Sequence, residues 1–210
     1  MGKIISFSNQ KGGSGKTTIS ANLAVLWSNS GYKVAVIDAD VQKSLTNWII
    51  ARKKYYGEEE IGFHVLHYND SNIFESIKKM KRKYDFIIID SPPSISYLNI
   101  QILDSSDFVY VPMQPSPLDL MATIPFLNLC KKERKKTSII MNRVVSRVKL
   151  TEAMVFRLRY AGAKIARSRI SSKVIFAETF AVGRGVVDIN VTSDASREII
   201  NVGNEILRNL

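Results

Sequence analysis

"FSNQKGGSGKTT", residues 7–18, overlaps the end of a short apolar run, "KIISFS" (3–8), and its reading decides the fold. Gly12, Gly13 and Gly15 let backbone N–H groups close round an anion without side-chain clashes. A helix starting just after them adds the partial positive charge of its N-terminus. In that setting Lys16 reaches terminal phosphates and the Thr17 hydroxyl ligates Mg²⁺, with Ser14 and Thr18 completing a phosphate-binding run over 11–18. The usual loop has glycine where this chain has Gln10, and it needs a single lysine. Lys11 is a second one, and its purpose is not explained by phosphate binding alone.

Outward from this loop, β-branched apolar runs alternate with helical patterns. "KVAVID" (33–38), "DFIIID" (85–90), "DFVYVP" (107–112) and "TSIIMN" (137–142) read as buried strands, and "FHVLHY" (63–68) as a weaker edge strand. Helices are expected over about 17–29, 71–83, 117–131, 151–161 and 194–209. In the last, Ile199, Val202, Ile206 and Leu210 recur at helical spacing. This alternation implies an α/β fold, a mostly parallel twisted sheet with helices on both faces. Neither an internal repeat nor an interdomain linker interrupts it, so residues 1–210 are expected to form one domain.

No apolar run approaches the ~20 residues that span a bilayer, and the N-terminus lacks the apolar core of a signal peptide. Cys130 is the only cysteine, so an intrachain disulfide and a thiolate metal cluster are both excluded. A reducing cytoplasm fits. His64 and His67 lie three apart and face opposite sides of a strand, which speaks against a metal pair. The formal net charge is +11, unevenly spread: 1–130 carry 13 Lys and Arg against 12 Asp and Glu, whereas 131–210 carry 17 against 7. That asymmetry points to a polyanionic partner, nucleic acid or an anionic membrane surface.

Ligands of an open parallel sheet bind outside the carboxyl ends of its strands. Thr17, Asp38, Asp40, Asp90 and Asn142 all fall at or just beyond such ends. Mg²⁺ takes carboxylates, hydroxyls and waters, which these residues can supply. An aspartate just past a strand can equally cap a helix, a reading that stays open for Asp38 and Asp40 taken singly.

Together these segments resemble the ParA/MinD group of P-loop ATPases with the deviant Walker A motif, and within it the short ParA-type partition ATPases. "VIDADVQKSLTNW" (36–48) is similar to the group's D-x-D-P-Q-x-S-x-x-x-W segment, with Val41 where proline is usual, and "DFIIIDSPP" (85–93) to its Walker B. "VPMQPSPLDL" (111–120) and "MNR" (141–143) resemble its later nucleotide and interface segments. The resemblance implies a weak ATPase that dimerises on ATP and Mg²⁺. It implies that Lys11 crosses to the partner's nucleotide, that Lys16 stabilises transferring charge, and that Asp40 positions or activates the attacking water. Thr17, Asp38 and Asp90 would hold the metal, and Asn142 would contact the adenine.

The resemblance also implies that the ATP dimer binds DNA non-specifically and is released on hydrolysis stimulated by a ParB-like adaptor, placing the protein on the nucleoid. The segment "SSKVIFAETFAVGRGV" (171–186) is similar to the group's DNA-contacting region, and with the preceding cations it nominates Arg167, Arg169, Lys173 and Arg184. No helix-turn-helix is expected before a strand starting at Lys3. The alternative is a MinD-like ATPase at a membrane surface, for which the amphipathic 194–210 segment is the candidate anchor, although Arg197 and Arg208 are its only cations. A nitrogenase-type reductase needs more cysteines, and the tyrosine-rich tail of related kinases is absent.

Overall fold

The computed structural model describes residues 1–66, 73–94, 96–146 and 149–210. The strands β1 (Lys3–Phe7), β2 (Val34–Asp38), β3 (His64–Leu66), β4 (Phe86–Asp90), β5 (Phe108–Met113) and β6 (Thr137–Met141) form one sheet in the order β3-β2-β4-β1-β5-β6. Every neighbouring pair is parallel. The five apolar runs expected to be buried strands are strands, displaced by at most a residue at either end. "FHVLHY" contributes the short edge strand β3, and His67 lies outside the described residues.

Parallel sheets are covered on both faces, so their strands alternate between two cores instead of between core and water. Ile5 and Phe7 of β1, Val34 and Val36 of β2, Phe86 and Ile88 of β4, and Phe108 and Tyr110 of β5 enter one apolar cluster. Their sequence neighbours, among them Ile4, Ala35, Ile37, Ile87 and Ile89, enter another, continued by Val109, Val111, Ile139 and Met141. The first layer is covered by α1 (Lys16–Asn29), α2 (Ser44–Tyr56), α7 (Ile175–Ala181), α8 (Val186–Ile189) and α9 (Asp194–Asn209). The second is covered by α3 (Ile73–Met80), α4 (Tyr97–Ser105), α5 (Pro117–Lys132) and α6 (Lys149–Tyr160).

The terminal helix α9 spends its apolar stripe inside. Ile199, Val202 and Ile206 are buried, and a Cβ added to Gly203 would stand 2.7 Å from Leu26 Cδ2 of α1. Such close helix contact removes the feature that made this segment a membrane anchor candidate. Among the described residues, no helix is long and apolar enough to cross a membrane. Cys130 is buried, and that burial pushes its thiol up to about 11.

Helices α2, α4, α7 and α8 were not anticipated. With α2 comes Arg52, an arginine in the core. Its Nε donates to the Ile61 carbonyl at 2.9 Å, its Nη1 to Gly183 O at 3.2 Å and to Asp188 Oδ2 at 2.7 Å, and its plane stacks 4.5 Å from the Tyr56 ring. It ties α2 to the turn before α8. Gly183 permits this, for any Cβ there would fall 2.0 Å from the Arg52 backbone nitrogen.

Candidate functional site

Register gathers the acidic groups. In neighbouring strands Asp38 stands opposite Asp90, and Asp90 opposite Phe7, the last residue before the loop. The loop from Ser8 to Gly15 therefore leaves the sheet beside both carboxylates. α1 begins at Lys16 with no side-chain cap and no acidic residue in its first turn, leaving its first N–H groups for an external anion.

The loop is held from beneath by side-chain amides. Asn9 Nδ2 donates to Pro112 O at 2.8 Å and to Thr123 Oγ1 at 3.1 Å, Gln114 Nε2 to Gly13 O at 2.9 Å, and Asn142 Nδ2 to Ser14 O at 2.7 Å. Asn9, Gln114 and Thr123 were not anticipated; what marks Asn9 and Gln114 in the sequence is their place just past a strand end. Asn142 is 5% exposed, and its amide bears on the loop itself: a Cβ on Gly15 would meet Asn142 Nδ2 at 1.9 Å. Gly15 also adopts φ 101 and Gly13 φ 74, where side chains are strained. Gly12 has open space around it, so only an approaching ligand asks for glycine there.

Lys16 is buried, and its Nζ donates to the Lys11 carbonyl at 3.4 Å. Burial lowers its pKa, while the charges of Asp90 and Asp40 pull the other way. Asp90 is wholly buried and neither carboxylate oxygen has a partner in hydrogen-bonding geometry. Burial pushes its carboxyl up to about 7; the Thr17 hydroxyl and the Lys16 ammonium favour the charged form, and Asp38 and Asp40 oppose it. An orphaned carboxylate beside a threonine hydroxyl fits the shell of a divalent cation. Among the described residues no three His, Cys, Asp or Glu side chains form a metal cluster, so such an ion would lean on Thr17 and on phosphate oxygens.

Asp38 has other work. Its Oδ2 accepts from both the backbone N–H and the hydroxyl of Thr46, each at 2.8 Å, which caps the start of α2, and its Oδ1 accepts from Asp40 N at 3.1 Å. Asp40 is half-buried, its Oδ1 accepting from Gln42 N at 3.0 Å. Beside the first turn of α1 opens a cleft of about 510 Å³, bordered by Thr18, Asn142, Arg143, Lys173, Phe176 and other residues, with room for a nucleoside beyond the loop.

Residues 5–186 match the family of CobQ/CobB/MinD/ParA nucleotide binding domains. The chain belongs to this family. Among curated relatives of the CobQ/CobB/MinD/ParA family, the maintenance of carboxysome distribution protein A of Halothiobacillus neapolitanus is 27% identical over 97% of this chain and 95% of its own length. The sporulation initiation inhibitor protein Soj of Bacillus subtilis is 24% identical over all of both chains. The fold is that of the cell division ATPase MinD of Pyrococcus furiosus, with a TM-score of 0.82 at 23% identity over all of both chains. An ATP complex of Cyanothece McdA has a TM-score of 0.80 at 18% identity, covering 98% of this chain and 96% of that one.

In this ParA/MinD-family chain the nominated cations are mostly engaged. Arg169 pairs with Glu152 of α6, and Lys173 with Glu198 of α9. Glu205 accepts from the backbone N–H groups of Arg167 and Ser168 at 2.8 and 2.7 Å. Arg184 lies apart from them, its Nη2 on Asp188 O at 2.7 Å and its plane 5.0 Å from the Tyr55 ring. The Arg167 side chain is exposed and, among the described residues, forms no ion pair.

Proposed function

We propose that this protein, a single ParA-like unit over 1–210, is a weak ATPase that dimerises on ATP and positions DNA or another cargo. One observation carries the proposal. Lys11 is exposed on the phosphate loop, and the segments that follow the carboxyl ends of β2, β4 and β5 carry Val41 at 81% exposure, Tyr97 at the start of α4 at 76%, and Leu118 and Met121 of α5 at 72% and 70%. Scattered apolar residues need no explanation, but several around one charged site suit a covering partner. A second copy, presenting the same face across a two-fold axis, fits both the apolar rim and the lysine. Each Lys11 would then offset charge on its partner's phosphates.

Within one protomer, backbone N–H groups of 12–18 bind the phosphates, Lys16 stabilises charge on the transferring group, and Asp40 orients water. Thr17 and Asp90, with Asp38 in the outer shell, would hold Mg²⁺, which when bound supplies charge neutralisation at the phosphates. Asn142 holds Ser14 in place and borders the proposed nucleoside cleft. Lys11→Ala tests the central role: we expect native folding and ATP binding, but loss of the ATP dimer by light scattering and of turnover. A normal dimer with normal turnover overturns it.

DNA binding draws support from the excess of 10 positive charges in 131–210. It would be non-specific, through phosphates, with Arg167, Arg169, Lys173 and Arg184 as proposed contacts. The exposed Arg169–Glu152 pair is screened by solvent, so phosphate can displace the glutamate. Release is proposed to follow hydrolysis stimulated by a ParB-like adaptor, in a cytoplasmic, nucleoid-associated cycle. Duplex binding measured with ATP, with ADP and without nucleotide should appear only with ATP, and should persist in Asp40→Ala. Equal affinity in apo and ATP states, or insensitivity to salt, refutes it.

A further inference from the structure

A second cleft, of about 550 Å³, lies between α5 and α6, away from the loops that carry the nucleotide site. Its apolar lining includes Leu120, Ile124, Leu127 and Leu158, and its rim carries Lys131, Lys135, Arg157 and Lys164. The cations come from α5, the turn after it, α6 and the segment leading out of α6. Lys135 is tied to Asp104; among the described residues Lys131, Arg157 and Lys164 form no ion pair, and Lys164 Nζ stands 5.8 Å from the centre of the Phe108 ring. The contrast with 167–173 is informative, because there Glu152 and Glu198 each take up a cation.

We infer that this cleft docks an acidic amphipathic segment of the protein partner that regulates this ATPase. The inference rests on the adaptor-dependent cycle proposed above. A purely apolar occupant would desolvate Lys131 and Arg157 without compensation. A duplex would meet the cations but has nothing to fill an apolar cleft. A small amphiphile with one carboxylate would answer one cation and leave the rest. A helix or extended segment with apolar anchors and flanking carboxylates satisfies floor and rim together. The cleft also has a mechanical link to turnover: Thr123, on α5 between Leu120 and Ile124, accepts the hydrogen bond from Asn9 at the root of the phosphate loop.

The probe is a fluorescein-labelled helical peptide of about 16 residues, leucine at helical spacing and glutamate elsewhere, with a lysine counterpart as control. Polarisation without nucleotide should show the acidic peptide binding the native chain, and the lysine peptide not binding. The triple variant Lys131→Glu, Arg157→Glu, Lys164→Glu should bind at least ~10-fold more weakly, and so should Ile124→Ser. Three of these positions are exposed and Ile124 is 40% exposed, so folding should survive, checked by calorimetry. Failure of the acidic peptide to bind, equal binding of the lysine peptide, or undiminished binding in the triple variant overturns the inference. So does displacement by a short duplex that itself loses affinity in the same variant. ATP hydrolysis, measured separately on native protein, reports on the ATPase reading whichever way the peptide behaves.

Discussion

Asp90 offers a quantitative lever on the proposed nucleotide site. Its carboxyl moves from 3.8 to about 7 on folding, chiefly through burial. At 1.36 kcal/mol per unit, ionised Asp90 costs the apo protein about 4 kcal/mol, an upper figure because water penetration softens buried charge. The sign follows from linkage. The folded pKa lies above the unfolded one, so the cost is absent below about 4, grows as pH rises, and is complete above about 7. Asp90→Asn removes the charge but leaves an amide in the same partnerless spot, itself worth roughly 1–3 kcal/mol of penalty. The net gain at pH 8 is then roughly 2 kcal/mol, or about 4–8 °C in Tm for a chain of this size. Calorimetry of nucleotide-free protein in chelator should show the variant more stable at pH 8, with the advantage gone near pH 5. The same variant should lose the extra stabilisation that Mg²⁺ with ATP gives the native protein. A stability difference that does not vary with pH, or a variant less stable than native at pH 8, refutes the reasoning.

Glycine substitutions separate folding from binding. Gly15→Ala should lower apo stability by roughly 2 kcal/mol or more, from positive φ and the collision with Asn142, whereas Gly12→Ala should leave apo Tm unchanged and weaken nucleotide binding alone. Urea unfolding and a fluorescent nucleotide titration distinguish the two. Arg52→Ala should cost about 3–5 kcal/mol because it strands Asp188 in the core; a loss under ~1 kcal/mol in urea unfolding contradicts that reading.

The sheet was legible because each buried strand is a compact β-branched run, which both-face burial demands, and the loop because its glycines and lysines are short-range. The absent helices have physical reasons. α2 is preceded by Lys43, which has a positive φ and supplies no side-chain cap, and the helix buries only Leu45, Trp48, Ile49 and Arg52. α7 and α8 are too short to show a period. Which cations are free was not legible either, since the glutamates that neutralise 167–173 arrive from α6 and α9. The same holds for Asn142 and Asp38: their position at strand ends was plain, but not that one amide would brace Ser14 or that one carboxylate would cap α2 through Thr46.

The most direct measurement is a crystal structure with Mg²⁺ and a non-hydrolysable ATP analogue. It should reveal a two-fold dimer joined through the face bearing Val41, Tyr97, Leu118 and Met121, with each Lys11 ammonium on the partner's phosphates. A lone protomer holding the analogue, its Lys11 side chain in open solvent, would contradict it.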